Sequence, residues 1–368
     1  MVMAAMLRKH KAYVYDMPNS AEGGSNWRMG MKKLILAAVI SAASFGIATA
    51  ASAGTLDNVK QKGQVVCGAN PGTAGFGVPD QQGNWTGLDV EYCRAIAAAI
   101  FNDPTKAKFV PLSSKDRFTA LASGEVDVLI RNSTWTMSRE TTLGIIWAGI
   151  NYYDGQGFIV NNKLGVKSAK ELNGATICVQ QGTTTELNVA DYFRANKMEY
   201  KVVTFGTSEE ALKAYDSGRC DSYTTDRSGL AADRLSMTKP DDHTILPEII
   251  SKEPLGPVVR QGDDQWLNLV KWVHNALLIS EELGVTKANV DEMMKSENPE
   301  IKRLLGVEGK FGESLGLSNA WVVQIVKALG NYGEVFDRNV GPSSPLKLVR
   351  GSNALWNQGG LQYAPPIR

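Results

Sequence analysis

The chain holds 368 residues, more than one hydrophobic core usually serves, so two domains are the default expectation. Apolar residues make up 43% and charged residues 21%, which excludes a disordered or fibrous chain. The formal net charge of +1 gives no electrostatic basis for a nucleic-acid partner.

In chain order, the first 53 residues read as a targeting segment. Lys32 and Lys33 precede an uncharged, mostly apolar run from Leu34 to Ala50, and Ala51-Ser52-Ala53 has the small residues of a cleavage site. The run is at the short end for a membrane span, so a signal peptide is the better reading than an anchor. Residues 1–28 fit neither layout and read as an upstream-start artefact, with Met29 or Met31 as the true start. No later stretch reaches spanning length. Cleavage before Gly54 removes six basic and two acidic residues and takes the net charge from +1 to −3. No cysteine lies at that point to carry a lipid anchor.

The exported remainder keeps four cysteines, Cys67, Cys93, Cys178 and Cys220, an even number that suggests two disulfides; buried free thiols are the alternative. A zinc site is disfavoured: there is no C-x-x-C, and His10, His243 and His274 do not cluster with the cysteines.

From Val65 onward, strands and helices alternate, which predicts an α/β fold. Val65 to Gly68 is a short apolar strand, and Cys93, Ile96, Ala97 and Ile100 recur on one helical face. Lys115 to Ala122 reads as a helix capped by Ser113 and stopped by Gly124, followed by a buried-type strand from Val126 to Ile130. The grammar then repeats: strand Thr176–Val179, helix Leu187–Asn196, strand Tyr200–Phe205, a helix with the Thr207/Glu210 capping box ended by Gly218, and strand Cys220–Thr224. Ser123-Gly124-x-x-Asp127 and Ser217-Gly218-x-x-Asp221 fall in register, and Gly63–Cys67 parallels Gly174–Cys178, so two similar α/β units are expected. Later, Trp266, Leu269, Val270, Val273 and Leu277 form a helical stripe, and Ser318 is placed to cap a helix carrying Trp321, Ile325 and Leu329. Beyond Gly341 the tail is rich in Gly, Pro and Asn and is expected to run irregularly over the surface.

The chain lacks a Gly-rich phosphate loop, a zincin helix and a nucleophile elbow, which counts against an enzyme. Three polar segments follow strands instead, where α/β folds bind ligands. Arg131 to Arg139 ends in a guanidinium whose planar fork matches a carboxylate; a solvated loop is the plain alternative. Gly182 to Glu186 opens a helix whose free amides attract anions, although the threonines also suit simple capping. Asp226 can hold an ammonium or cap the next helix. Together they offer what a zwitterion needs.

These segments resemble the amino-acid-binding proteins of polar amino-acid ABC transporters, bacterial solute-binding protein family 3, from about Gly63 to Met294. The signature stretches are Gly87–Arg94, Arg117-Phe-Thr-Ala-Leu121, Ser138-Arg-Glu140 and Gly182–Thr185; Asn84–Asp89, Tyr152–Gly157 and the extended C-terminus resemble the general L-amino-acid binders of Gram-negative bacteria. The resemblance implies a periplasmic-binding-protein type II fold, two α/β lobes with mixed sheets joined by a two-segment hinge near Asp154–Gln156 and Ser251–Glu253. Lobe one would span about 54–154 plus 253–368, and lobe two about 155–252. Arg139 would bind the ligand α-carboxylate with the backbone amides of Thr134 and Thr183. Asp226 would bind the α-ammonium with the Thr134 hydroxyl and the Asn132 carbonyl. Asn70, Thr73, Phe76 and Trp85 would lie near the ligand side chain. An acidic residue often stands at the position of Asn70 in relatives selective for basic amino acids, so strict selection for Lys, Arg or His is not expected. With these lobes, pairing within each gives Cys67–Cys93 and Cys178–Cys220.

The implied function is capture of free L-amino acids, with broad specificity, by a periplasmic monomer serving inner-membrane ABC permease subunits and their ATPase. No cofactor, metal or nucleic acid is expected. The rival from another class is a periplasmic dehydratase-type enzyme on the same fold, for which Glu186 is the nearest candidate acid. A receptor sensor domain is disfavoured by the lack of a transmembrane or kinase segment.

Overall fold

The computed structural model describes residues 54–368; the signal-peptide, start-codon and cleavage readings lie outside the described residues. The strands assemble into two five-stranded mixed sheets. In the first, Ala107–Pro111, Val65–Ala69 and Val128–Leu129 run parallel in that order. Val258–Arg260 then pairs antiparallel with both Val128–Leu129 and Ile145–Trp147. The second sheet repeats the order. Lys201–Phe205, Thr176–Gln180 and Ser222–Asp226 are parallel, and Gln156–Asn161 pairs antiparallel with Ser222–Asp226 and His243–Ile245. In each sheet the antiparallel strand is the one that arrives directly after a crossing between sheets. The crossings themselves, Tyr152–Asp154 and Glu253–Leu255, pair as a two-stranded ribbon with Asp154 opposite Glu253.

The internal repeat performs the same local task twice. Gly124 and Gly218 take left-handed φ values of 81° and 82° where the helices Arg117–Ser123 and Ser208–Asp216 stop, a conformation that strains other residues. Three residues on, the Asp127 carboxylate accepts the Val66 N–H at 2.9 Å, and the Asp221 carboxylate accepts the Thr176 N–H at 2.7 Å. Each aspartate thus pins the end of its helix–turn unit to the start of a central strand.

The apolar stripe Trp266, Leu269, Val270, Val273 and Leu277 is buried on the long helix Asp264–Glu282. With helices Leu88–Phe101, Trp321–Leu329 and Tyr332–Asn339 it forms a continuous core on the first sheet. The second sheet is covered by two clusters, one around Phe158, Val189 and Phe193, the other around Tyr215, Tyr223 and Leu230.

Two expected caps are replaced. The helix predicted from Lys115 starts at Arg117, because the Ser113 hydroxyl accepts the Asp116 N–H at 3.1 Å and holds a separate turn ahead of it. Ser318 does not cap Trp321–Leu329: an intervening turn, closed by Trp321 N–H to the Ser318 carbonyl at 3.2 Å, makes Ala320 the N-cap. Cys67 is bridged to Cys93, tying a strand to a helix, and Cys178 to Cys220, with Cα separations of 6.3 and 5.7 Å. The tail beyond Gly341 holds only two short 3-10 turns, but it is not loose. The Asn353 side-chain amide accepts the Tyr153 N–H at 2.7 Å and donates to the Tyr153 carbonyl at 3.0 Å. Among the described residues no helix is long and apolar enough to cross a membrane.

Candidate functional site

The loops that leave the parallel strands of the two sheets face one another. Between them lies a narrow cavity lined by Asn70, Thr73, Arg117, Asn132 and Thr134 from one side and by Thr183, Thr184 and Asp226 from the other. The sides are close: a Cβ built on Gly182 would stand 3.5 Å from the Lys115 Cα.

Asp226 ends the strand Ser222–Asp226 and precedes the helix Arg227–Ser236, yet its carboxylate makes no capping bond. That task falls to Asp154, which accepts both the Ser228 N–H and the Ser228 hydroxyl. Asp226 is left facing the cavity. Burial, then the neighbouring Asp154 and Glu253, pushes its carboxyl well above the ordinary range, against the pull of Arg117 and Arg139.

Arg139 lies in the short helix Met137–Thr142, which Thr136 caps, and donates from Nη1 to the Thr134 carbonyl at 2.8 Å. Its guanidinium sits 5.1 Å from the centre of the Phe118 ring, and its electrostatic partners are Glu253 and Asp226. Arg139 does not itself line the cavity. Arg117 does line it. That residue is 3% exposed, stacks at 4.8 Å on the same Phe118 ring, and its Nε has no hydrogen-bond partner. A buried guanidinium with an unused donor is costly unless an anion meets it. In the sequence Arg117 stood in a helical stretch and opened one of the signature stretches, with no role assigned to it.

Asn70 and Asn132 form one unit. The Asn70 amide donates to the Thr73 hydroxyl at 2.7 Å and to the Asn132 side-chain oxygen at 2.9 Å, while its own oxygen accepts the Gly72 N–H. The Asn132 backbone, at φ 31°, is held by the Asp89 carboxylate at 2.6 Å. Thr183 caps the helix Thr184–Ala195 by accepting the Glu186 N–H, and the Glu186 carboxylate accepts the Gly182 N–H at 2.9 Å. Glu186 is therefore engaged in closing the turn, not aimed at the cavity as an acid. Thr134 donates its hydroxyl to Glu253 at 2.6 Å. Glu253 was legible only as a hinge residue.

Two expected neighbours of the ligand side chain are placed elsewhere. Phe76 is fully buried and meets Tyr152 edge-on at 5.1 Å, and Trp85 stacks on Phe109 at 5.5 Å in a small hairpin; neither lines the cavity. Asp233 does line it, with its carboxyl pushed up to about 7 by burial and accepting the Tyr223 hydroxyl. Among the described residues no group of His, Cys, Asp and Glu could hold a metal ion.

The family model for bacterial extracellular solute-binding proteins, family 3, matches residues 65–289. The chain is 59% identical over 341 residues to the general L-amino acid-binding periplasmic protein AapJ of Rhizobium johnstonii, covering 92% of this chain and 100% of that one. It is 58% identical over 323 residues to the glutamate/glutamine/aspartate/asparagine-binding protein BztA of Rhodobacter capsulatus, covering 88% and 96%. A solved ABC transporter periplasmic binding protein from Brucella ovis, with glutathione bound, superposes with a TM-score of 0.85 at 64% identity, covering 86% of this chain and 100% of that one. The two mixed sheets and paired crossings are the type II periplasmic-binding fold. With more than half of its length matched by that family model, the chain belongs to the bacterial extracellular solute-binding proteins, family 3.

Proposed function

We propose that the protein captures free L-amino acids in the periplasm, between lobes of about 54–154 plus 253–368 and 155–252, and delivers them as a monomer to inner-membrane ABC permease subunits with their ATPase. The observation that carries this reading is the division of charge around one cavity. Arg117, Arg139 and the first turn of the helix Thr184–Ala195 supply positive potential, and Asp226 supplies a carboxylate not used in capping. A zwitterion taken from water needs both. Arg139, outside the lining but on the same Phe118 ring as the cavity's Arg117, turns in to bind the α-carboxylate with amides of Thr134 and Thr183, and Asp226 binds the α-ammonium. The unpartnered Arg117 suits acidic side chains and Asp233 polar or basic ones, which supports broad specificity. The names of the relatives, a general L-amino-acid binder and an acidic-and-amide binder, support the same class. The Brucella relative extends it to a ligand with an amino-acid end on a longer body.

The test is calorimetry of Glu, Leu and Arg on Arg139→Ala and Asp226→Ala. Removing one partner of a buried charge pair costs about 3–5 kcal/mol, so each variant should lose roughly two to four decades of affinity for all three ligands. Arg139→Lys should recover only part, because an ammonium cannot form the planar two-bond contact. A folded Arg139→Ala that binds all three within a few-fold of wild type would refute the carboxylate assignment.

A further inference from the structure

The Glu253 side chain is 1% exposed and takes four hydrogen bonds. One oxygen accepts the hydroxyls of Thr134 at 2.6 Å and Thr184 at 2.8 Å; the other accepts the Asn188 amide at 2.7 Å and the Ser251 hydroxyl at 2.6 Å. Glu253 stands behind the cavity wall, whereas Thr134 and Thr184 line the cavity. A carboxylate is an acceptor only, and a hydroxyl has one proton. Both threonine protons therefore point at Glu253. The 3.4 Å contact between the two hydroxyl oxygens then has no proton to carry, and both oxygens are left with lone pairs only. The carboxyl group of Asp226 lines the same cavity.

We infer that Glu253 is a positioning residue that sets the polarity of this wall, turning the Thr134 and Thr184 hydroxyls into acceptors for the three N–H donors of a ligand α-ammonium. The inference rests on the amino-acid reading of the site. Glu253 touches no ligand; it acts through the direction of two protons. Three of these bonds, from Thr134, Thr184 and Asn188, join a loop of the first sheet to the helix Thr184–Ala195 that covers the second, so the acceptor pair is completed only when the two sides meet.

Glu253→Gln changes this without removing a heavy atom. Asn188 and Ser251 both donate to that end of Glu253, and with those two donors kept the new amide oxygen faces them and the new amide nitrogen faces the threonines. Both threonine oxygens then accept from it, and their protons turn toward the cavity and the ammonium. Calorimetry with L-leucine and its L-2-hydroxy-acid analogue reads the difference, since the analogue replaces the ammonium by a group that can accept. Glu253→Gln should weaken L-leucine about tenfold and the hydroxy acid clearly less, so that preference for the amine falls. Equal losses for both ligands, or no loss for either, would overturn the inference while leaving the amino-acid reading standing. If the variant does not fold, Thr134→Val replaces it: selective loss of L-leucine supports the acceptor role, and equal loss refutes it. A wild-type protein that binds no amino acid removes the functional reading and this inference together.

Discussion

An entering ammonium meets Asp226 as a carboxyl reluctant to ionise, because burial and two nearby acids raise its pKa in the empty site. The bound ammonium favours the carboxylate and lowers that pKa again. Below the raised pKa, binding must therefore expel a proton, and affinity should weaken as pH falls through that range. Titration calorimetry in two buffers of different ionisation enthalpy, repeated at successively lower pH, should show proton release that rises toward about one proton per ligand. A heat independent of the buffer at every pH at which the protein stays folded would count against the assignment. At this scale the sequence was informative about groups whose position follows from their own strand or helix. Thr134, Thr183 and Asp226, which all line the cavity, are such groups. It assigned no role to Arg117 and none to Glu253 beyond the hinge, since both depend on distant partners: Arg117 is attracted by Asp226 and Glu253, and Glu253 takes Thr134 from one side and Thr184 from the other. Asn70 is subtler. Its neutral amide was read as a specificity signal, yet both ends of that amide are engaged by Gly72, Thr73 and Asn132. An acid there would face the Asn132 oxygen before it reached any ligand.

The two units read from Ser-Gly-x-x-Asp differ in almost every other residue, so the shared aspartate marks what the helix–turn–strand unit requires. Asp127 and Asp221 each accept a backbone N–H at the opening of a central strand. Replacing either by Asn keeps the shape but leaves a weaker, uncharged acceptor, at a cost of roughly 1–3 kcal/mol. Urea unfolding of Asp127→Asn and Asp221→Asn should show similar losses if the repeat is functional in folding, and a null effect at one site would break the equivalence. Element existence was legible because strands and helices differ in period and in their stop signals. Boundaries were less so. The Ser113 and Ser318 hydroxyls both have suitable spacing for a cap, but each sits one turn too early, and the added turn cannot be told from helix by composition. Phe76 and Trp85 were drawn toward the ligand by resemblance; their rings are instead taken by Tyr152 and Phe109.

A ligand that touches both sides of the cavity binds the closed molecule better and shifts the population toward it. Small-angle scattering should therefore give a smaller radius of gyration with a saturating amino acid than without, and an unchanged radius for a confirmed ligand would oppose the hinge reading unless the free molecule is already closed. The two sheets were legible from the repeat, whereas the tail was read only as irregular, because its order is imposed by what it touches. Its contact with Tyr153 changes the character of the ribbon. Two isolated strands present open backbone edges, which in other proteins recruit a further strand. Here the outer edge of Tyr153 is filled by the Asn353 amide, which imitates one residue of a neighbouring strand. The opposite edge has Pro254, which lacks an N–H to offer, and the Pro254 carbonyl accepts the Trp135 N–H at 2.8 Å. Neither side of this pair is left as a template. A ribbon with both edges occupied offers a second chain no backbone to pair with, and on one edge the block is a single side chain 200 residues farther along the sequence.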